Sequence, residues 1–551
     1  MKSNQTIMKK ISALLLVLLP FIAFSQNNFK AIDSVLSVYD QGVVPGVSVS
    51  IAKNGKVLYS RNVGYADVEA NKKIDDKTLF CMASVSKQFT AACVVMLEQQ
   101  GKLSLEDKLS KYFPDFPEYA NTISIVDLLN HTSGIKDYIV LSMLRGDHYM
   151  LYKDQDMNDI LKKQNLDFEP GSEYSYSNSG YWFLVKIVEK VSGKSIIDFA
   201  QENIFFPLEM NNTKYTYDPY SVKHMSKGYV ETDEGHEISL QKEGLISGAG
   251  VVSSVDDMQK WLFEMHTQKV FGAAFWNRMV NEEFYEIDKD EFYTKGLVID
   301  TYLGEKRIEH GGDVDGFHTL TEYFPEQELT VVIFSNNDEI SINKINKTLL
   351  SVFFKKIIST ITEDEKNKKV SGVKLTEAEL KKYTGDYVFI TYSFNVSVKE
   401  GELFFLQGWN GVGYSVLALG DDKFADKDNE DVVFSFSDIK NDSTGLLVLN
   451  QNGQEYKFDR KPVAQDVNEF VGSYYSAALD VTYNFILEEG DLWFVLGTEE
   501  SVPLLHQGKD RYLSPFGNLT FKRGEKSKLT GFLLSHERAR DIEFVKVPAR
   551  G

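Results

Sequence analysis

The sequence predicts an α+β domain, an antiparallel sheet covered by helices, followed by an all-β, barrel-like C-terminal region. Three observations carry this. Strand-like segments open and close the first part of the chain, and long amphipathic helices fill its middle. A charged stretch without apolar periodicity, Thr362 to Gly372, interrupts the pattern. Beyond it, apolar and polar residues alternate with the period of two that suits a half-buried strand.

Taken in order, Lys9 and Lys10 precede the apolar run Ile11 to Phe24, and Ala23-Phe24-Ser25 has the form of a small-x-small cleavage site before Gln26. Residues 1–25 therefore read as a secretory signal peptide, because the run is short of the roughly 20 residues a bilayer span needs. No cysteine follows that site, so no stable membrane anchor is expected. The chain is expected to be exported, to the periplasm or beyond the cell. Residues 26–361 form the expected first domain, 362–372 a linker, and 373–462 and 463–551 two β-barrel-like units.

Within the first domain, Val47 to Ala52 and Lys56 to Asn62 flank Asn54-Gly55, a hairpin turn signal. Gln88 to Gln100 places Phe89, Cys93, Met96 and Leu97 at helical spacing and stops at Gly101. Tyr181 to Val191 reads as a second helix, ended by Gly193. Lys306 to Glu309, Phe317 to Phe324 and Leu329 to Asn336 read as strands, and Ile342 to Ile358 as a closing helix. Such an order lets the two ends of the domain meet in one sheet. In the C-terminal region two signatures recur, Tyr383-Thr384-Gly385-Asp386-Tyr387 and Phe470-Val471-Gly472-Ser473-Tyr474, each before an alternating strand. That points to a duplicated all-β module or two halves of a larger barrel.

At 551 residues, 43% apolar and 25% charged, the chain has ordinary globular composition but too much length for one core. Its net charge of −20 argues against nucleic acid and against anionic lipid as partners. Cys81 and Cys93 are the only cysteines; a helix between them would hold them beyond disulfide reach, so both read as buried apolar residues.

Ser84-Val85-Ser86-Lys87 fits S-x-x-K, but so do five other pairs: Ser133/Lys136, Ser239/Lys242, Ser341/Lys344, Ser371/Lys374 and Ser437/Lys440. Context separates them. Ser84 stands just before a helix, which sets Lys87 one turn on and on the same face. A serine hydroxyl is a poor nucleophile until a neighbour takes its proton, and a buried lysine can do so. The other pairs read as N-cap serines with surface lysines. Further on, Phe168-Glu169-Pro170-Gly171 leads to Tyr176-Ser177-Asn178, a loop able to present a phenol and an amide to one cleft. His310-Gly311-Gly312 closes a predicted strand, where glycines admit a substrate backbone. His131 and the remaining histidines read as structural.

Together, Phe80 to Lys87, Leu128-Leu129-Asn130-His131-Thr132-Ser133-Gly134-Ile135, Tyr176-Ser177-Asn178, Ser247-Gly248-Ala249-Gly250 and His310-Gly311-Gly312 resemble the β-lactamase and D,D-peptidase superfamily, most of all its class C-like branch with D-aminopeptidases and esterases. The likeness runs from roughly Lys30 to Ile358. It implies a β-lactamase/D,D-peptidase-like sheet with helices, an acyl-enzyme on Ser84, and Lys87 with Tyr176 as shared general base. It implies substrate contacts from Asn178, His310, Gly312 and Asp313, with an oxyanion hole at the backbone of Ser84 and Asp313. No metal or organic cofactor is implied. Where His310 stands classical β-lactamases usually carry lysine, so a firm grip on a substrate carboxylate is not expected.

The C-terminal units resemble lipocalin-like domains fused to such hydrolases. The expected activity is that of a secreted serine hydrolase acting on an amide or ester of a small molecule or peptide, D-amino-acid or peptidoglycan-derived peptides included. The alternatives are a β-lactamase or D,D-carboxypeptidase and, in another class, a penicillin- or peptidoglycan-binding sensor with negligible turnover.

Overall fold

The computed structural model describes residues 29–147, 152–232, 235–239, 250–354 and most of 373–548. The expected signal peptide, the expected linker and Ser247-Gly248-Ala249 lie outside the described residues. The chain divides into two compact units: one holds Met1–Tyr138 and Tyr149–Glu363, the other Ile139–His148 and Asp364–Gly551. A short segment inside the expected first domain thus groups with the C-terminal region.

The first unit is built on helix α1 (Lys30–Leu36), strands β1 (Val47–Lys53) and β2 (Lys56–Val63), helices α2 (Lys87–Gln99), α3 (Asn178–Ser192) and α4 (Val255–Thr267), strands β3 (Tyr285–Asp288), β4 (Glu291–Thr294), β5 (Leu297–Tyr302), β6 (Glu305–Val314), β7 (Phe317–Phe324) and β8 (Leu329–Ser335), and helix α5 (Ile342–Ser351). The sheet is antiparallel in the order β3-β4-β5-β6-β7-β8-β1-β2. The first strand of the domain pairs with the last, Val47 opposite Ser335, so the two ends meet as the sequence order predicts. At the β1–β2 turn Asn54 and Gly55 both take positive φ, which those residue types tolerate.

β8 is buried along its whole length and β1 along all but Lys53, because both faces of the sheet are covered. On one face Ile32 and Leu36 of α1 and Ile345 and Leu349 of α5 meet Val47, Val49, Ile51, Val331 and Ile333. From α4, Gln259 bonds the Ser50 backbone and receives the Thr330 hydroxyl. Burying such a run of β-branched side chains stabilises the sheet by about 1.5–3 kcal/mol each.

Two sequence boundaries shift with functional consequence. The strand predicted to end at Glu309 runs on to Val314, so His310-Gly311-Gly312 lies inside β6 rather than closing it. α3 begins at Asn178, ahead of Tyr181, because the Ser177 side chain caps it. Neither Cys81 nor Cys93 forms a disulfide and both are buried, as expected.

In the second unit, eight strands from Gly385–Phe389 to Gln454–Arg460 close into a barrel, first against last through Tyr387 and Arg460. Its interior is filled by Phe394, Phe405, Phe434, Phe436 and Phe458. A nine-stranded antiparallel sheet follows, with Gly472–Ser476 paired to Ala539–Val547. The recurrent signatures do matching jobs. The Tyr387 hydroxyl donates to the Tyr383 carbonyl at 3.0 Å and the Tyr474 hydroxyl to the Phe470 carbonyl at 2.8 Å.

Candidate active site

Ser84 lies in a 3-10 turn, Ala83–Ser86, that runs straight into α2. The turn is pinned at both ends: the Met82 N–H donates to the Val251 carbonyl, and the Val251 N–H to the Ser86 hydroxyl. Ala83 takes a φ of 44°, a left-handed conformation that costs an L-residue about 1 kcal/mol or more. Among residues 78–97 Ser84 is the one that keeps solvent exposure with every other residue up to Leu97 buried.

Lys87 is fully buried one turn on. Its Nζ donates to Ser84 Oγ at 3.1 Å and to Asn178 Oδ1 at 2.8 Å, and lies 4.7 Å from the centre of the Tyr176 ring. Three of the sequence-predicted residues therefore converge on Ser84. Of the other S-x-x-K serines, Ser341 caps its helix through the Lys344 N–H, as expected. Lys136 departs from the expected surface position: it is buried and ion-paired with Asp167, because the chain turns inward beside the tyrosine loop.

The loop carrying Tyr176 is held by His131, which the sequence reading left as merely structural. The Ser175 N–H donates to the His131 carbonyl at 2.9 Å, and the Ser177 N–H to its Nδ1 at 3.0 Å. The imidazole lies 4.1 Å from the Tyr176 ring. Because Nδ1 accepts, the ring proton resides on Nε2. Tyr176 is thus clamped on both sides of its own residue. Burial pushes its phenol well above the ordinary value, and a bond from Ser84 only partly opposes this.

On β6, Gly312 leaves no room for a side chain: a Cβ there would lie 2.4 Å from the Met82 carbonyl and 3.1 Å from the Ser84 nitrogen. Thr319, opposite it on β7, donates to the Met82 carbonyl at 3.0 Å and seals the strand to the serine turn. His310 is buried; its Nδ1 meets the Gly311 carbonyl at 2.5 Å and its Nε2 the Tyr293 hydroxyl at 3.2 Å. A carbonyl only accepts, so Nδ1 carries the proton and Nε2 accepts from Tyr293. Burial, reinforced by the Lys87 charge, holds the His310 pKa down at about 4. The Asp313 carboxylate is exposed and bonds His318, whose pKa it raises.

Sequence reasoning missed His131, Tyr293, Thr319 and Asp137. His131 lies within a stretch already matched in the sequence and Asp137 just beyond it, which was the available signal; Tyr293 and Thr319 carried none.

A family model described as Beta-lactamase matches residues 28–348. The chain belongs to the beta-lactamase family. Penicillin-binding protein 4* of Bacillus subtilis (strain 168) is 32% identical over 336 residues, which cover 57% of this chain and 73% of that protein. The D-aminopeptidase of Brucella anthropi is 23% identical over 523 residues, covering 91% of this chain and 95% of the relative. Among solved structures, the octameric penicillin-binding protein homologue from Pyrococcus abyssi superposes with a TM-score of 0.55 at 22% identity, over 86% of this chain and 98% of that one. That likeness shows the fold. As a beta-lactamase-family chain whose relatives include a D-aminopeptidase, this protein is a hydrolase of the serine type.

Proposed function

We propose that this beta-lactamase-family chain is an exported hydrolase that forms an acyl-serine at Ser84 and cleaves amides or esters, with peptides bearing a D-amino acid as its leading substrates. The observation that carries the reading is the buried Lys87 amine 3.1 Å from the hydroxyl of the partly exposed Ser84. Ser84 Oγ attacks the substrate carbonyl while its proton passes to Lys87 Nζ, which can accept it only as the free amine. Tyr176, a phenol at neutral pH given its raised pKa, delivers a proton to the departing amine and is recharged from Lys87. The Ser84 and Asp313 N–H groups serve the oxyanion, and Asn178 orients the substrate amide. Water then cleaves the ester, releasing the acid and restoring the hydroxyl.

His310 favours substrates without a terminal carboxylate at that edge. It is neutral above about pH 4 and both ring nitrogens are already bonded, so it offers no permanent cation. The near full-length match to a D-aminopeptidase supports the same direction. A D,D-carboxypeptidase or β-lactamase is the second reading, favoured by the 32% identity to Penicillin-binding protein 4*. Export rests on the basic and apolar N-terminal segment, and cell fractionation with N-terminal sequencing of the mature chain tests it.

The deciding experiment incubates the protein and Ser84→Ala with a fluorophosphonate and with a fluorescent penicillin, and reads intact mass. An adduct on the wild type alone supports Ser84. Turnover of D-amino-acid amides exceeding that of D-Ala-D-Ala peptides supports the leading substrate class. A penicilloyl adduct that never decays, together with no turnover of either class of amide, makes the chain a sensor, and no adduct with either probe on folded protein rejects the acyl-serine mechanism.

A further inference from the structure

We propose that Asp137 is a positioning residue for the reaction: its carboxylate holds the Asn178 amide in the one orientation that turns the amide oxygen toward Lys87. The proposal rests on the acyl-serine reading for its kinetic part and on geometry alone for the rest. Asp137 is fully buried. One of its oxygens, Oδ2, accepts from the Asn178 backbone N–H and from Asn178 Nδ2, each at 2.8 Å. The backbone bond satisfies an orphan donor in the first turn of α3, where a negative charge is also favoured. The side-chain bond fixes the amide. An ionised carboxylate accepts and cannot donate, so it takes the NH2 end of Asn178 and rejects the oxygen end.

With Nδ2 committed to Asp137, Oδ1 faces Lys87 Nζ at 2.8 Å. A flipped amide would take away the oxygen that accepts from Lys87 Nζ and would loosen the amine 3.1 Å from the nucleophile. Asp137 is itself immobilised from both sides. The Tyr138 N–H donates to Ser179 Oγ at 2.9 Å, Ser179 Oγ donates to the Lys136 carbonyl at 2.7 Å, and Lys136 is ion-paired with Asp167. The segment 136–138 is therefore laced to the start of α3 on either side of Asp137, as a rigid support for a reactive group requires.

The test uses Asp137→Ala, Asp137→Asn, Asn178→Ala and the double variant Asp137→Ala/Asn178→Ala in the full chain. The first readout is independent of activity: the side-chain amide signals of Asn178 in nitrogen-15-labelled protein, assigned by their loss in Asn178→Ala. They are expected to be protected from solvent exchange in the wild type, and to shift and exchange faster in both Asp137 variants. The second is the fluorophosphonate labelling rate of Ser84. Asp137→Ala is expected to slow it on the order of 10- to 100-fold, as displacement of a supporting group does, and to add little once Asn178 is already alanine.

Unchanged Asn178 signals, or losses that multiply in the double variant, overturn the proposal. If Asp137→Ala does not fold, the near-isosteric asparagine variant carries both readouts. If the wild type is never labelled, the acyl-serine reading falls while the amide signals still decide the link between Asp137 and Asn178.

Discussion

Lys87 has no exposed surface, so its amine reaches Ser84 only from the inside of the fold. Replacing it by alanine removes the proton acceptor; Ser84 labelling by a fluorophosphonate is expected to fall by about 100-fold or more while the melting temperature holds or rises. Gly312→Ala sets a methyl against the Met82 carbonyl, 2.4 Å away. That overpacking is expected to cost about 1–3 kcal/mol in urea titration and to displace the serine turn, lowering acylation with it. His310 gives a pH signature. Its pKa, about 4, lies below the 6.5 of a free histidine, so the stability it contributes is complete above pH 6.5 and is lost as pH falls toward 4. The loss is on the order of 3 kcal/mol, and His310→Gln is expected to flatten that part of the stability–pH curve. No substrate-binding inflection from His310 is expected near pH 6.5.

At the scale of elements, β6 carries two chemistries on its two faces. His310 and Gly312 face the serine turn; Arg307 and Glu309 alternate with them. Arg307 is bonded to Asp300 and Glu322, and Glu309 stands opposite Glu322 in the sheet register. Burial, opposed by Arg307 and assisted by Glu322, Asp300 and Glu291, pushes the Glu309 pKa up to about 8. A carboxyl whose folded pKa is raised stabilises below its unfolded value of 4.5, and that contribution is lost as pH rises through about 8. Glu309→Gln is expected to remove the alkaline loss: its urea midpoint should match wild type at about pH 5 and exceed it at about pH 9. A variant that loses stability equally at both would refute the protonated state.

At the scale of the whole molecule, the Ile139–His148 segment belongs to the C-terminal unit although it interrupts the hydrolase sequence. Within that unit the buried Tyr483 hydroxyl donates to the Leu144 carbonyl at 2.7 Å. A chain ended at Glu363 separates this segment from the rest of its unit and removes the Tyr483 partner of Leu144. Such a truncation is expected to melt lower and to aggregate, whereas Tyr483→Phe, which loses a single buried bond, is expected to cost about 1–3 kcal/mol. A truncated chain with wild-type melting and solubility would show that the segment does not need those partners.

The strands at both ends of the first domain and the barrel alternation were legible because apolar periodicity is a local property: a period of two or of 3.6 is written in neighbouring residues. Ser84 and Lys87 were legible for the same reason, since one helical turn separates them. His310 was found, but its neutrality depends on burial and on Lys87, which stands far from it in sequence. Likewise His131 became the clamp of Tyr176, and Asp137 the partner of Asn178, only through contacts between segments distant in sequence. By itself the sequence determined which segments become strands and helices and which serine stands ahead of a helix with a lysine one turn on. The tertiary structure decided the protonation, orientation and support of those groups, because burial and hydrogen-bond partners are set by what the fold brings together across the chain.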